Sequence, residues 1–248
     1  MTYCVGLLLK DGLVMICDTR TNAGVDNVAS FRKLHMVEEP GERVIALASS
    51  GNLSITQSIV SLLMEGVPDP ETDTVETLAT VPTMFKAAQL VGRAVREIYR
   101  VDGPSMEQHN ARFDVSLILG GQIKGRRLRM FMIYAAGNFI EATPDTPFLQ
   151  IGEHKYGKPI LDRAVKYNTD LYDALKVGLI SVDSTMRSNL AVGLPLDLMI
   201  LRRDAMQTEL TYRIEQGEPY FEDLRQRWSE ALRATHQAIP KPPYVKKA

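Results

Sequence analysis

Residues 2–18, Thr2-Tyr3-Cys4-Val5-Gly6-Leu7-Leu8-Leu9-Lys10-Asp11-Gly12-Leu13-Val14-Met15-Ile16-Cys17-Asp18, decide how the rest of the chain is read. Two apolar runs flank an Asp-Gly turn signal, the pattern of a tight β-hairpin. Hairpin pairing joins residues whose numbers sum to a constant. A turn centred near Lys10 or Asp11 therefore brings the partner of Thr2 to within about two residues of Asp18. A carboxylate arrives beside the start of the chain. Thr2 directly follows Met1. If Met1 is removed, Thr2 carries a free α-amine and a hydroxyl on adjacent carbons, so one residue holds a nucleophile and its own base. A Met-Thr start is common in proteins that make no use of it, and the weight of the reading lies in the residues further along the chain.

Outward from the hairpin, Thr19 to Gly24 is turn chemistry, and Phe31, Lys33, His35 and Val37 alternate weakly before a loop over residues 38–42. Val44 to Ala48 adds a short buried strand. At Ser49-Ser50-Gly51-Asn52 the pattern switches to a helix over Leu53 to Leu63, capped by Asn52 or Ser54. Gly66 to Pro70 ends it, and an acidic loop, Glu71 to Glu76, comes next. Met84, Ala87, Ala88, Val91, Ala94, Val95 and Ile98 form an amphipathic helical face.

Strands are expected at Phe113 to Leu119, Met130 to Ala135, Phe139 onward and Phe148 to Ile151. Helices are expected at Pro159 to Val165 and from an Asp170 cap through Val182, then strands at Leu196 to Ile200 and Thr208 to Glu215. Pro219 to Gln237 reads as a surface helix. The prolines at 240, 242 and 243 then forbid a helix, so residues 238–248 read as an extended tail after a single domain, 1–237. Runs of strands followed by runs of helices give an α+β chain, and two largely antiparallel sheets stacked between helical layers, an αββα sandwich, fit the count.

The 248 residues are 45% hydrophobic and 24% charged with a formal net charge of −1, an ordinary globular profile. Near-neutral charge leaves no electrostatic footprint for nucleic acid or an anionic membrane. No apolar run approaches a membrane span, and the start lacks a basic region followed by an apolar one. Cys4 and Cys17 stand inside strand-like runs without metal or redox spacing, as expected of reduced thiols in the cytoplasm. His35, His109, His154 and His236 make no metal spacing, and no phosphate-binding or dinucleotide motif is present. Neither a metal nor an organic cofactor is expected.

Several features converge on Thr2. A terminal amine titrates at about 7.7–8.0, so part of it is neutral near physiological pH and can take the hydroxyl proton. Lys33 would favour that neutral form by like-charge repulsion, and Asp18 would hold the lysine. Gly51, just ahead of a helix start, offers backbone N–H groups to an oxyanion. Asp183 is a further candidate, although spacing alone does not bring it to Thr2. Each residue taken singly has an ordinary alternative as a surface lysine, turn aspartate, loop glycine or capping aspartate.

Thr2, Asp18-Thr19-Arg20 with Ala23-Gly24, Lys33, and Ser50-Gly51 before a helix together resemble the proteasome β-type subunits, which are N-terminal-nucleophile hydrolases. Thr2-Tyr3-Cys4-Val5, Ser30-Phe31-Arg32-Lys33, Ile151-Gly152-Glu153, Lys155-Tyr156-Gly157-Lys158-Pro159 and Asp183 to Asn189 are similar to the family's bacterial ancestral-β-subunit branch, Anbu. The resemblance runs from Thr2 to about Tyr212. It implies Thr2 as nucleophile and base, Asp18 and Lys33 as its charged partners, Gly51 as oxyanion donor and Asp183 as support for the amine. By the same resemblance Thr21, His35, Ser49 and Leu53 line the pocket for the substrate residue before the scissile bond. A threonine-type peptidase or amidohydrolase that self-assembles into a ring or spiral is implied. Glu153 and Met186 stand where the family usually has serines of the amine's hydrogen-bond network. That departure bears on turnover more than on fold and favours, as a first alternative, a non-catalytic assembly subunit of the same fold; a second alternative is an N-terminal-nucleophile amidase acting on a small molecule or peptide conjugate.

Overall fold

The computed structural model describes residues 2–22, 28–69 and 74–244. Met1, Ala23-Gly24 and Glu71 to Asp73, all used in the sequence reading, lie outside the described residues, as does the end of the tail. The opening stretch forms β1 (Tyr3–Leu9) and β2 (Gly12–Asp18), paired antiparallel from Leu9↔Gly12 to Cys4↔Cys17. One further step of that register sets Tyr3, not Thr2, against Asp18.

Short strands β3 (Arg20–Asn22) and β4 (Val28–Ser30) precede β5 (Leu34–Glu39), β6 (Arg43–Gly51) and helix α1 (Leu53–Glu65). The hairpin β7 (Val67–Asp69) and β8 (Thr74–Glu76) leads to α2 (Met84–Gln108). Then come β9 (Val115–Ile123), β10 (Arg129–Ile133), β11 (Phe139–Glu141), β12 (Phe148–Gly152), α3 (Lys158–Ala164) and α4 (Leu171–Ser188). The chain finishes through β13 (Leu196–Arg202), β14 (Thr208–Ile214) and α5 (Pro219–Ala238).

Two five-stranded sheets result, ordered β12-β1-β2-β13-β14 and β11-β10-β9-β6-β5, antiparallel throughout. Tyr3, Val5, Leu7 and Leu9 of β1 point into one apolar layer, and Cys4 and Leu8 into another. Burial on both faces explains why the hairpin strands are continuously apolar instead of alternating. Leu179 and Val182 of α4 and Phe221 and Leu224 of α5 cover the outer face of this sheet. Ile55 and Ile59 of α1 and Val91 and Val95 of α2 cover Ile45, Leu47, Leu117 and Leu119 of the other sheet. Leu13 and Met15 meet Ala46, Ala48, Ile118 and Met130 between the sheets. This is the four-layer αββα sandwich.

Two local expectations needed correction. The acidic loop after α1 is partly strand, because Thr74–Glu76 pairs with Val67–Asp69. α2 extends past Ile98 to Gln108 through Pro104, as Tyr99 stacks edge-on against Phe113 and Met106 packs on the helical core. Tertiary contacts there override the helix-breaking preference. Among the described residues no helix is long and apolar enough to cross a membrane, and no group of three or more His, Cys, Asp or Glu is arranged to hold a metal ion.

Candidate active site

Thr2 is 7% exposed at the point where β1 begins between β2 and β12. Its carbonyl accepts the Glu153 N–H at 2.7 Å, immediately past the Tyr3↔Gly152 pair. So close an approach needs glycine at 152: φ is 80°, and a Cβ there would stand 2.0 Å from the Thr2 carbonyl oxygen. The same Cβ would meet Ser50 Oγ at 3.2 Å, and the Cys4 thiol donates to the Ser49 carbonyl at 3.7 Å. The end of β6 is thereby held against the start of β1.

Asp18, at the end of β2, is fully buried. One carboxylate oxygen, Oδ1, accepts the Tyr3 N–H at 3.0 Å and Lys33 Nζ at 2.9 Å, while Oδ2 accepts the Gly193 N–H at 3.4 Å. Lys33 also donates to the Arg20 carbonyl at 2.6 Å, and its own carbonyl takes the Ser49 N–H at 3.0 Å. Burial pushes the Asp18 carboxyl up from its ordinary value, with Lys33 and the two N–H groups pulling against it. A lysine side chain only 5% exposed is thus held one residue from Thr2 by a carboxylate that is costly to keep ionised.

Gly51 ends β6 at φ 120°, where a Cβ would stand 2.2 Å from the Asp114 carbonyl oxygen. The Asn52 N–H is already bonded to that oxygen at 2.8 Å. Asn52 Oδ1 then caps α1 through the Ser54 N–H at 3.0 Å. Gly51 is exposed at this strand-to-helix junction, next to the Ser50 that touches Gly152.

Asp183 is treated differently. It is fully buried, but its carboxylate is taken up by Arg187 Nε at 3.0 Å, one turn on along α4, and by Arg225 Nε at 2.7 Å, which ties α4 to α5. No hydrogen bond joins it to the Asp18–Lys33 pair among the described residues. α4 reaches the start of β1 through Ser181 instead, whose Oγ lies 3.0 Å from the Tyr3 hydroxyl; Gln150 Nε2 donates to that hydroxyl at 2.6 Å. Burial pushes Tyr3 up to about 12. Glu153 spends its side chain on Asn189 Nδ2 at 3.2 Å, and Met186 packs on the apolar layer under α4. Of the expected pocket residues, Ser49 is buried against Cys4, Thr21 lies in β3 and Leu53 opens α1. His35 lines a cleft of about 510 Å³ with Arg32, Asp197, Tyr212 and Arg213, in which Thr2, Asp18, Lys33 and Gly51 take no part. Burial, then Arg32, pulls its pKa down.

No protein-family model and no curated protein matches the chain. Solved structures do. Anbu, the ancestral β-subunit, from Yersinia bercovieri is 50% identical with a TM-score of 0.89, and the match covers 98% of this chain and 100% of that one. The chain belongs to the Anbu family. A Gly-1 mutant of Anbu from Hyphomicrobium sp. strain MC1 is also 50% identical with a TM-score of 0.89, covering 98% and 99% of the two chains. A structure described as a helical assembly of the Anbu complex from Pseudomonas aeruginosa is 43% identical with a TM-score of 0.90, covering 99% and 100%. The αββα sandwich is the Anbu fold.

Three groups in this Anbu site escaped the sequence reading. Tyr3 looked like any strand aromatic, and nothing local announces that its hydroxyl crosses to α4. Gly193 donates from a loop far along the chain to Asp18, a contact with no spacing signal. The main chain of Glu153, which clamps Thr2, was overshadowed by its side chain.

Proposed function

We propose that the chain is a threonine-type amide hydrolase that uses Thr2 once Met1 is removed, and that it self-assembles. One observation carries the reading: a single oxygen of buried Asp18 binds both Lys33 Nζ and the Tyr3 N–H. A lysine that shares a carboxylate oxygen with the residue directly after Thr2 supports the reading of Lys33 as the charged partner of the nucleophile. In the proposed cycle the Thr2 amine accepts the hydroxyl proton, directly or through water, while Lys33 favours the neutral amine by repulsion. The hydroxyl oxygen attacks the substrate carbonyl, and the Gly51 N–H donates to the oxyanion. Collapse expels the amine product, which takes the proton, and leaves an ester on Thr2. Water then hydrolyses the ester. The substrate is a peptide or another amide, and no step calls on a metal or organic cofactor.

In this reading residues 1–237 act as one domain that assembles through its helical layers; the Pseudomonas aeruginosa relative described as a helical assembly supports self-assembly as such. Two free, buried thiols fit a bacterial cytoplasmic setting. The first test is the intact mass of the mature protein, since a retained Met1 blocks the amine and sinks the mechanism. The second is a threonine-directed covalent inhibitor, expected to modify Thr2 and to leave Thr2→Ala unmodified.

A weakly active or inactive assembly subunit is the second reading. The two arginines on Asp183 and the apolar packing of Met186 favour it. A processed, assembled sample that gives no adduct would select this reading. If an adduct forms, a panel of peptides and small amides divides endopeptidase from amidase.

A further inference from the structure

β5 and β14 are the outermost strands of the two sheets, and neither pairs with the other. At one end Glu38 of β5 ties them, accepting the Thr208 N–H at 3.0 Å and the Thr208 hydroxyl at 2.5 Å. Further along, Leu34, His35 and Met36 on one edge and Thr211, Tyr212 and Arg213 on the other line the cleft of about 510 Å³, a size usual for small-molecule sites. Thr21, Ser49 and Leu53 do not line it, so this is a different place from the substrate pocket that the family resemblance assigned.

The charges in the cleft do not balance. Asp197 is 8% exposed, and Arg213 takes both of its carboxylate oxygens, Nε to Oδ1 at 2.7 Å and Nη2 to Oδ2 at 2.8 Å. Arg32 approaches the same carboxylate only to 3.9 Å, outside hydrogen-bond range, with its side chain 66% exposed at the rim. Burial, then Arg32, holds His35 toward its neutral form. Two arginines against one aspartate therefore leave one positive charge uncompensated, and it is the Arg32 guanidinium whose N–H groups are unspent. The Tyr212 hydroxyl also has no partner among the described residues.

The rest of the lining is apolar. Leu34 and Leu198 are buried, Met36 packs on the layer between the sheets, and Met64 of α1 is 42% exposed. Two methionines give a wall that adapts to the shape of what it meets. A planar guanidinium with free N–H groups matches a carboxylate in two-point contact. One surplus positive charge is balanced by a monoanion, whereas a dianion such as phosphate would leave net negative charge in a half-enclosed cleft. The apolar walls reward an apolar body behind the carboxylate.

We propose that the cleft between β5 and β14 binds a short apolar peptide by its free C-terminal carboxylate, with Arg32 as the anchor and Met36, Met64 and Leu198 against the apolar side chains. The site is separate from Thr2 and stands whether or not the chain is a hydrolase.

Isothermal titration calorimetry on full-length Thr2→Ala protein tests it without interference from turnover. The probes are N-acetyl-leucyl-leucine, its neutral C-terminal carboxamide and inorganic phosphate. The acid is expected to bind at least tenfold tighter than the carboxamide, the margin of a charge-assisted hydrogen-bond pair. Arg32→Gln should remove that preference and leave the carboxamide within twofold. Met64→Glu, which sets a like charge on the wall, should weaken the acid at least tenfold. Arg163→Gln, at an exposed arginine on α3, should change neither, and circular dichroism with thermal melting checks that each variant is folded. Equal binding of acid and carboxamide overturns the proposal, as does a preference that survives Arg32→Gln or is lost equally in Arg163→Gln. Undiminished binding to folded Met64→Glu overturns the location, and phosphate that displaces the acid at equal concentration overturns the carboxylate class.

Discussion

Asp18 and Asp183 are both fully buried, yet the fold treats them in opposite ways. Asp183 is clamped by two arginines whose own side chains reach solvent, at 53% and 26% exposure, and the result ties α4 to α5. Asp18 faces one lysine that is nearly as buried as itself and shares the pocket with backbone N–H groups and a carbonyl. Arginine spreads its charge over a fork suited to structural clamping, whereas a buried ammonium is a point charge that is expensive to desolvate. The two-arginine site has the form of a structural tie. The Asp18–Lys33 site, next to Thr2, has the form of a site that uses its charge.

Breaking each pair should expose that difference. Lys33→Ala leaves the Asp18 carboxylate without a cation and is expected to cost about 3–5 kcal/mol in denaturant unfolding. Any Thr2 labelling should be lost with it. The penalty should depend on pH in one direction. Because burial raises the folded Asp18 pKa, its contribution to stability declines as pH rises from the ordinary carboxylate range through the folded value. Without Lys33 the folded value lies higher and the decline runs further. The loss therefore grows toward neutral pH and shrinks in acid, where the carboxyl is protonated in both proteins. A penalty that is flat with pH would mean that Lys33 contributes packing and not charge.

Gly152→Ala is the next largest perturbation. It drives a Cβ into the Thr2 carbonyl at a residue with φ 80°, whereas Gly217→Ala, also at φ 80°, meets nothing within 4 Å. The control should cost about 1–2 kcal/mol for left-handed backbone alone, and Gly152→Ala clearly more, with slower inhibitor labelling. Equal costs would show that the clamp on Thr2 yields easily.

Asp183→Asn should cost less than Lys33→Ala, about 2 kcal/mol, since both arginines can turn to water. Labelling of Thr2 should stay within twofold of the parent. A tenfold drop in labelling with the fold intact would return Asp183 to the catalytic group that the family resemblance assigned it.

The contrast also marks how far the sequence could be read. The Asp-Gly turn set the β1–β2 register to within one residue, because hairpin pairing is local and arithmetical. The Asn52 and Asp170 caps were legible for the same reason. Asp18, Lys33 and Gly51 could be nominated by their order along the chain, although Lys33 stands just ahead of β5 and not on the strand expected there. Asp183 could be nominated only by resemblance, and its real partners include Arg225, on a helix where nothing in the spacing points back to it. Side chains that cross between layers leave no periodic trace, which is also why Tyr3 passed unnoticed.

Tyr3 is where the two regions meet, and it carries the smallest of the expected effects. Its N–H is bound by Asp18, while its hydroxyl is bound by Ser181, two residues before Asp183 on α4. Tyr3→Phe keeps the backbone bond and removes the hydroxyl alone. Ser181 Oγ retains the Gly178 carbonyl at 2.6 Å, and half-buried Gln150 can turn to water, so the cost should be about 1 kcal/mol. Combined with Asp183→Asn, the two changes should add to within about 0.5 kcal/mol if the α4–α5 tie and the Thr2 end are energetically separate. A coupling of about 1 kcal/mol or more would show that α4 transmits the Asp183 clamp to the Thr2 end through Tyr3. Asp183 would then be a positioning residue, and the division drawn between the two aspartates would give way.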